Sequence, residues 1–350
     1  MKKKYTYIIL AGLVTITICL IVVGFLFNKT ENEKQNGLTE FFDVSTKGKV
    51  AFVSYTDGSP EIFIMEDDQS QSKSVVSMTN EKVILDVAFS SDGSQLAFIS
   101  SEKEKENENE NLSSVVHLLN IETKKIQELF TEETLITELE FSTDDNLFYL
   151  SAGTFENYSP IASERPHDFD IHHYDFENKS NYKITNLKKY SMESLKVSAD
   201  GSSVYVQMFD DADAETADDI FDAHQRIFQI PVDDPANLSV VSDKSRNEDI
   251  YDFSFVPGTN TIIYQSVAKT GSDGVFEYEL FTYNQETNTE EQLTFLGEYV
   301  SNPVIGPEND TLYFIVDKQF AKEDSDYKLY RSDLDGENVT PISVFETKKE

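Results

Sequence analysis

The sequence predicts an all-β chain in which one four-stranded unit is repeated around a ring, and three observations carry that expectation. The first is a hairpin phrase, VAFSSDGSQLAFIS at 87–100, in which two apolar strands flank Ser-Asp-Gly. Asp92 and Gly93 suit the tight turn because both residue types tolerate positive φ where β-branched residues do not. The second is recurrence: the turn position returns, with drift, at Gly48, Gly93, Asp145, Gly201, Thr259 and Asn309. Six short-stranded units at about 40–50 residues each have the dimensions of propeller blades. The third is alternation, with Val87/Phe89, Leu139/Phe141, Leu195/Val197 and Phe253/Phe255 on one register, which is a strand period and not a helical one. The fold class is therefore a six-bladed β-propeller of four-stranded blades, preceded by one N-terminal transmembrane helix.

Taken in order, residues 1–7 form a short, basic N-terminus and residues 8–27 an unbroken apolar run, IILAGLVTITICLIVVGFLF. Twenty such residues reach about 30 Å as a helix, enough to cross a bilayer core. Lys2, Lys3 and Lys4 precede the run, so the positive-inside rule keeps the N-terminus cytoplasmic and sends the rest outside. The run ends Gly-Phe-Leu-Phe-Asn-Lys, with no small-x-small cleavage site, so an uncleaved signal anchor is expected. A polar linker follows at 28–37, then the propeller over 38–348. Its first unit is read from Phe42-Asp43-Val44, VAFVS, EIFIM and KSVVSMT; the second holds the hairpin phrase, VVHLLNIE and KIQELFT. The third runs through LEFSTDD, LFYLS, DIHHYDF and YKITNL, and the fourth through LKVSADG, VYVQMF, RIFQIPVD and LSVVS. The fifth has FSFVPGT, IIYQS, YELFTYN and EQLTF, and the sixth PVIGPEN, LYFIVD, YKLYRSDLDG and PISVF. All six start with a first strand and end with a fourth, so the ring is expected to close by face packing without a shared strand.

The phrases FSSDGSQLAFIS, VSADGSSVYVQ and YRSDLDGENVTPIS resemble the repeats of TolB-type propellers, as do PEIFIMEDD in the first unit and EEQLTF in the fifth. The resemblance covers everything after the linker and implies the WD40-like propeller fold. It leaves function open, because such blades serve in binding proteins, beside peptidases and in lyases. The chain departs from the family in having no Trp and a membrane helix where the family has a small α/β domain.

Charge and cysteine content narrow the function classes. Against 29 Lys and Arg stand 64 Asp and Glu, a formal charge of −35, which disfavours nucleic acid and anionic lipid. The only cysteine, Cys19, lies in the apolar run, so the exported part forms no internal disulfide. The sequence holds no Gly-x-Ser-x-Gly elbow, no His-Glu-x-x-His, no paired Cys-x-x-Cys and no phosphate-binding loop, which removes the common enzymes.

Five features compete as sites. His167, Asp168, Asp170, His172 and His173 combine imidazole with carboxylate, as a transition-metal site does. On a strand, however, His172 and His173 face opposite ways, and packing is expected. Asp333-Leu334-Asp335-Gly336 resembles a calcium loop but lacks its ligand spacing, and reads as a hairpin. A polar register runs along the first strands (Asp86, Glu138, Glu140, Ser194, Lys196, Asp252); some members are candidates to line the channel and coordinate a cation or water, with structural hydrogen bonds expected for most. The connections between second and third strands carry insertions in units two, three, four and six, all on one face of the ring, where repeat proteins often bind. In the third unit Phe155, Tyr158, Arg165 and His167 mix aromatic and polar character, as interface anchors do. The fifth feature is the acidic insertion of the fourth unit, with Asp210, Asp211, Asp218 and Asp219 as partner-binding candidates. No cofactor and no catalytic residue is expected; at that acidic face calcium stands behind a plain solvated loop.

The expected function is that of a non-enzymatic, membrane-anchored, extracytoplasmic binding or scaffold module of the bacterial cell envelope, its partner another envelope or membrane protein. The alternatives are a carbohydrate-active lyase or glycosidase, and a carbohydrate or small-ligand receptor.

Overall fold

The computed structural model describes residues 35–66, 71–103, 113–153 and 167–345, apart from 213, 217–218, 220–221, 272–273 and 323. The expected membrane helix and nearly all of the linker lie outside these residues. Among the described residues no helix is long and apolar enough to cross a membrane.

The described chain is all-β. Its strands are β1 (Gly37–Val44), β2 (Lys49–Thr56), β3 (Ser59–Glu66) and β4 (Lys73–Ser77), then β5 (Lys82–Phe89), β6 (Gln95–Glu102), β7 (Ser114–Asn120) and β8 (Lys125–Glu132). They continue with β9 (Ile136–Phe141), β10 (Leu147–Ser151), β11 (Asp170–Asp175) and β12 (Ser180–Lys183), then β13 (Met192–Val197), β14 (Ser203–Phe209), β15 (Gln225–Pro231) and β16 (Ser239–Val240). The remainder are β17 (Ile250–Phe255), β18 (Thr261–Thr270), β19 (Phe276–Asn284) and β20 (Thr289–Gln292), then β21 (Tyr299–Ile305), β22 (Thr311–Asp317), β23 (Tyr327–Asp333) and β24 (Thr340–Pro341). Each consecutive four pair as an antiparallel meander; one parallel bridge, Tyr278 to Tyr299, joins the last two groups into a single sheet.

The first strands β1, β5, β9, β13, β17 and β21 pack against one another in that order, and β21 returns to β1. Apolar clusters fill the spaces between neighbouring groups. Val87 and Phe89 pack with Ala51, Val53 and Ile62, and Leu139 and Phe141 with Ala97 and Ile99. Between the last group and the first, Tyr313, Ile315 and Leu329 meet Phe42, Phe52 and Met65. No strand is exchanged there among the described residues, in line with closure by face packing. Phe345 adds edge-on contacts to Phe52 and Phe63, and Ser72 Oγ donates to the Val344 carbonyl at 2.5 Å.

The hairpin phrase folds for a slightly different reason than the sequence suggests. Only Gly93 takes the left-handed conformation (φ 65°); Asp92 instead uses its carboxylate to accept from Ser90 Oγ (2.9 Å) and the Ser94 N–H (2.8 Å). Asp145 and Asn309 fill the same left-handed position at φ 61° and 58°. In the fifth unit that conformation falls on Gly258 and not on Thr259, whose branched Cβ does not tolerate it. These turns also link neighbours, since Thr46 Oγ1 donates to the Ser91 carbonyl (2.8 Å) and Ser91 N–H to Asp145 Oδ1 (2.9 Å).

Candidate functional site

The channel enclosed by the six first strands is the candidate site. Apart from the single bridge from Tyr299 of β21 to β19, each first strand has a hydrogen-bonded neighbour on one side only, so its channel-side N–H groups need acceptors from elsewhere. The pairing of first with second strand is also irregular in all six groups, which frees further N–H groups at β-bulges.

Carboxylates supply those acceptors, each reaching from one group to the next. Asp43 accepts from the N–H of Val44 and of Phe89 (both 2.7 Å), and Asp86 from Val87 (2.8 Å) and Leu139 (2.7 Å). Glu138 takes two freed N–H groups, of Ser194 (2.8 Å) and Leu195 (2.6 Å). Asp252 accepts from Ser194 Oγ (2.9 Å) and the Asn302 N–H (3.1 Å), and Asn302 Nδ2 donates onward to the Glu40 carbonyl (3.0 Å). Ser194 and Asn302 are left-handed non-glycine residues (φ 57° and 52°), strained positions held by these bonds. Lys196 lies 3.5 Å from Glu140. Burial opposes its charge, but Glu140, Glu138, Asp43 and Asp86 together hold its pKa above the ordinary value. Burial raises Asp43, Asp86 and Asp252, and pushes Glu138 and Glu140 up to about 7. The polar register is thus a belt of interblade hydrogen bonds around one cation.

The other end of the channel differs. The antiparallel register sets the start of each first strand beside the end of the second, as with Gly37 opposite Tyr55, so this end also carries the insertions. Here the cavity, about 450 Å³ in all, is lined by Glu40, Glu193, Tyr251, Gln265 and Tyr299. Tyr278 contacts Tyr251, Tyr299 and Phe320 edge-on at 5.0–5.6 Å, and Phe320 stacks on Tyr299 at 4.3 Å. Phe276 (49% exposed), edge-on to Tyr278, extends the aromatic surface beyond the mouth. Burial, then Asp252, Glu193 and Asp317, push Glu40 up to about 7; burial and Asp252 raise Glu193.

The histidine cluster is dispersed into packing. His172 stacks on Tyr149, and burial lowers it to about 4; His173 packs on Phe148, lies 3.2 Å from Asn146 Oδ1, and is likewise lowered by burial. His167 is buried, its Nδ1 3.3 Å from Asp168. Asp170 clamps a loop, accepting from Thr185 Oγ1 (2.7 Å) and the Leu187 N–H (2.6 Å), and is ion-paired with Lys183 Nζ (2.7 Å). Thr294 and Glu279 repeat the threonine–carboxylate clamp in the fifth unit, which explains the Leu-Thr phrase. Among the described residues no three His, Cys, Asp or Glu side chains come together to hold a metal ion. In the acidic insertion Asp211 pairs with Lys189, and Asp219 accepts from the N–H groups of Glu215 and Thr216 (3.1 and 2.8 Å). Asp210 is exposed there. Phe155, Tyr158, Arg165 and Asp218 lie outside the described residues.

Sequence reasoning identified Asp86, Glu138 and Asp252 but missed Asp43, Glu40, Glu193 and the aromatic wall. An apolar-Asp-apolar phrase at 42–44, 85–87 and 251–253 marks three of the belt carboxylates. Nothing comparable marks the wall, whose rings come from separate elements.

No family model and no curated protein matches this chain. Among solved structures it is similar to TolB from Acinetobacter baumannii, with a TM-score of 0.54 at 14% identity over 90% of this chain and 65% of that one. An oligogalacturonate lyase in complex with manganese gives 0.55 at 14% over 90% and 79%. The β-propeller domain of the Trilobed protease from Pyrococcus furiosus gives 0.52 at 9% over 89% and 99%. The chain spans 65% of the length of that TolB and 50% of that of a prolyl endopeptidase it also matches. At such identities the likeness bears on architecture alone, and the architecture is a TolB-like β-propeller.

Proposed function

We propose that this chain is a closed six-bladed propeller, tethered by its N-terminal apolar segment outside a bacterial cytoplasmic membrane, that binds another envelope protein and catalyses no reaction. One observation carries the reading: the deep channel carboxylates Asp43, Asp86, Glu138 and Glu140 are already bonded to backbone N–H groups or to Lys196. What the insertion-bearing end offers instead is aromatic surface around a mouth, the composition of a protein-binding patch. The anchor rests on the length and flanks of the apolar run. A second reading draws on Glu40, whose pKa near 7 in a tyrosine-lined cavity suits a general acid or base acting on a glycan.

The test is affinity capture with the full chain in its native membrane. The binding reading expects a stoichiometric envelope protein that is lost with Phe276→Ser and Phe320→Ala and kept with Asp335→Asn, at the other end of the ring. Turnover of a cell-envelope glycan, abolished by Glu40→Gln, would overturn it in favour of the enzyme.

A further inference from the structure

The chemistry of the mouth narrows the partner, on the premise that this end binds protein. Glu40 and Glu193 lie on different first strands; the charges felt by Glu40 are those of Asp252, Glu193 and Asp317, and Glu193 feels Asp252 while accepting from Ser191 Oγ at 3.2 Å. Neither is ion-paired among the described residues, and Lys196 is engaged deeper, with Glu140. On the paired strand the cross-strand neighbour of Glu193, Gln207, is wholly buried, and both its amide atoms lack a hydrogen-bond partner among the described residues. The equivalent side chain one group on, Gln265, lines the cavity and donates to the Val300 carbonyl at 2.7 Å. A pair of carboxylates without an ion-pair partner therefore shares the cavity with Tyr251 and Tyr299, on which Phe320 stacks. The carboxylates do not converge tightly enough for a metal ion. Acids spread around an aromatic face suit a larger, flat cation with several donors.

We propose that the mouth receives an arginine side chain of the protein partner, its guanidinium held between Glu40 and Glu193 and lying against the Tyr251–Tyr299 wall. Arginine fits better than lysine because its planar fork both stacks on a ring and bonds to two acceptors at once.

The experiment uses the full chain in nanodiscs of zwitterionic lipid, with empty discs subtracted, and the probe Ac-Trp-Gly-Arg-Gly-amide. The protein has no tryptophan, so tryptophan emission reports the probe alone. The same peptide with citrulline in place of arginine removes the charge while keeping the shape. The arginine probe is expected to saturate and to bind at least about ten-fold more tightly than citrulline, a difference of about 1.4 kcal/mol. Glu40→Gln and Glu193→Gln should each erode that preference, and the double variant abolish it, with circular dichroism verifying the fold. Asp335→Asn should leave it intact. Equal binding of the two probes, an equal loss with Asp335→Asn, or no saturable binding at millimolar probe would overturn the proposal. Should capture of the envelope protein nevertheless depend on Phe276 and Phe320, the binding reading stands and only the arginine falls.

Discussion

Asp43, Asp86, Glu138 and Glu140 deep in the channel, and Glu40 and Glu193 at its mouth, are all carboxylates on first strands, yet their surroundings treat them differently. The deep set surrounds Lys196, and three of its members accept backbone N–H groups from the next sheet. Hydrogen bonding is satisfied there and Lys196 offsets part of the charge, so the belt holds the ring together. Among the described residues the mouth pair has neither a cation nor a backbone N–H bond. The contrast shows that carboxylates of the same residue types on equivalent strands become structure or site according to what the neighbouring strand leaves unpaired.

Breaking the deep set should have the largest effect. Lys196→Met keeps the volume and removes the cation among these carboxylates, so stability should fall by about 3 kcal/mol or more in urea titrations at pH 8. At pH 5.5 the loss should shrink, because carboxyls with raised pKa values then take up protons. An equal loss at both pH values would mean that Lys196 acts through packing. Next comes Glu138→Ala, which strands the N–H groups of Ser194 and Leu195 and should cost about 1–3 kcal/mol. Glu138→Gln, retaining one acceptor oxygen, should recover part of this.

A smaller effect is expected in the wild-type protein on changing pH. Glu40, Glu138 and Glu140 sit at about 7 when folded, against 4.5 for a free glutamate. A carboxyl raised on folding binds more protons in the native state than in the unfolded one across that window. Stability should therefore fall as pH rises from about 4.5 to 7. The turn carboxylates Asp92 and Asp200, lowered to about 2 by hydrogen bonds from serines, act in the other sense, and their contribution disappears only as pH falls below about 4. Melting temperatures at pH 5.5 and 8 check the sign, and a higher value at pH 8 would refute it. The smallest effect belongs to the mouth. Glu40→Gln should change stability at pH 8 by no more than about 0.5 kcal/mol, or raise it, while flattening the pH slope. A loss as large as that of Glu138→Ala would erase the distinction between the two regions.

Strand placement was legible because turn chemistry and alternation are local: the hairpin at 87–100 contains everything needed to read it. The belt was half legible. Asp86, Glu138 and Asp252 stood out as polar residues in apolar strands, but their acceptor role depends on bulges and on the next sheet, which lie about 50 positions away. The mouth was not legible. Tyr251, Tyr278, Tyr299 and Phe320 meet only because the ring brings four separate elements to one rim, and none stands in a phrase unusual for a strand. The histidine cluster misleads in the opposite way, as neighbours in sequence that the alternation of β11 turns apart.

The way the ring closes has a consequence for how it is made. Phe42, Phe52, Phe63 and Met65 wait for cover from Tyr313, Ile315, Leu329 and Phe345, roughly 270 positions later. Contacts at that separation form late, because a long loop must be closed first. A chain emerging from its N-terminus therefore completes the first sheet while one greasy face still has nothing to pack on. During that interval the nascent domain is sticky, and its survival depends on how quickly the last four strands arrive or on what shields it meanwhile.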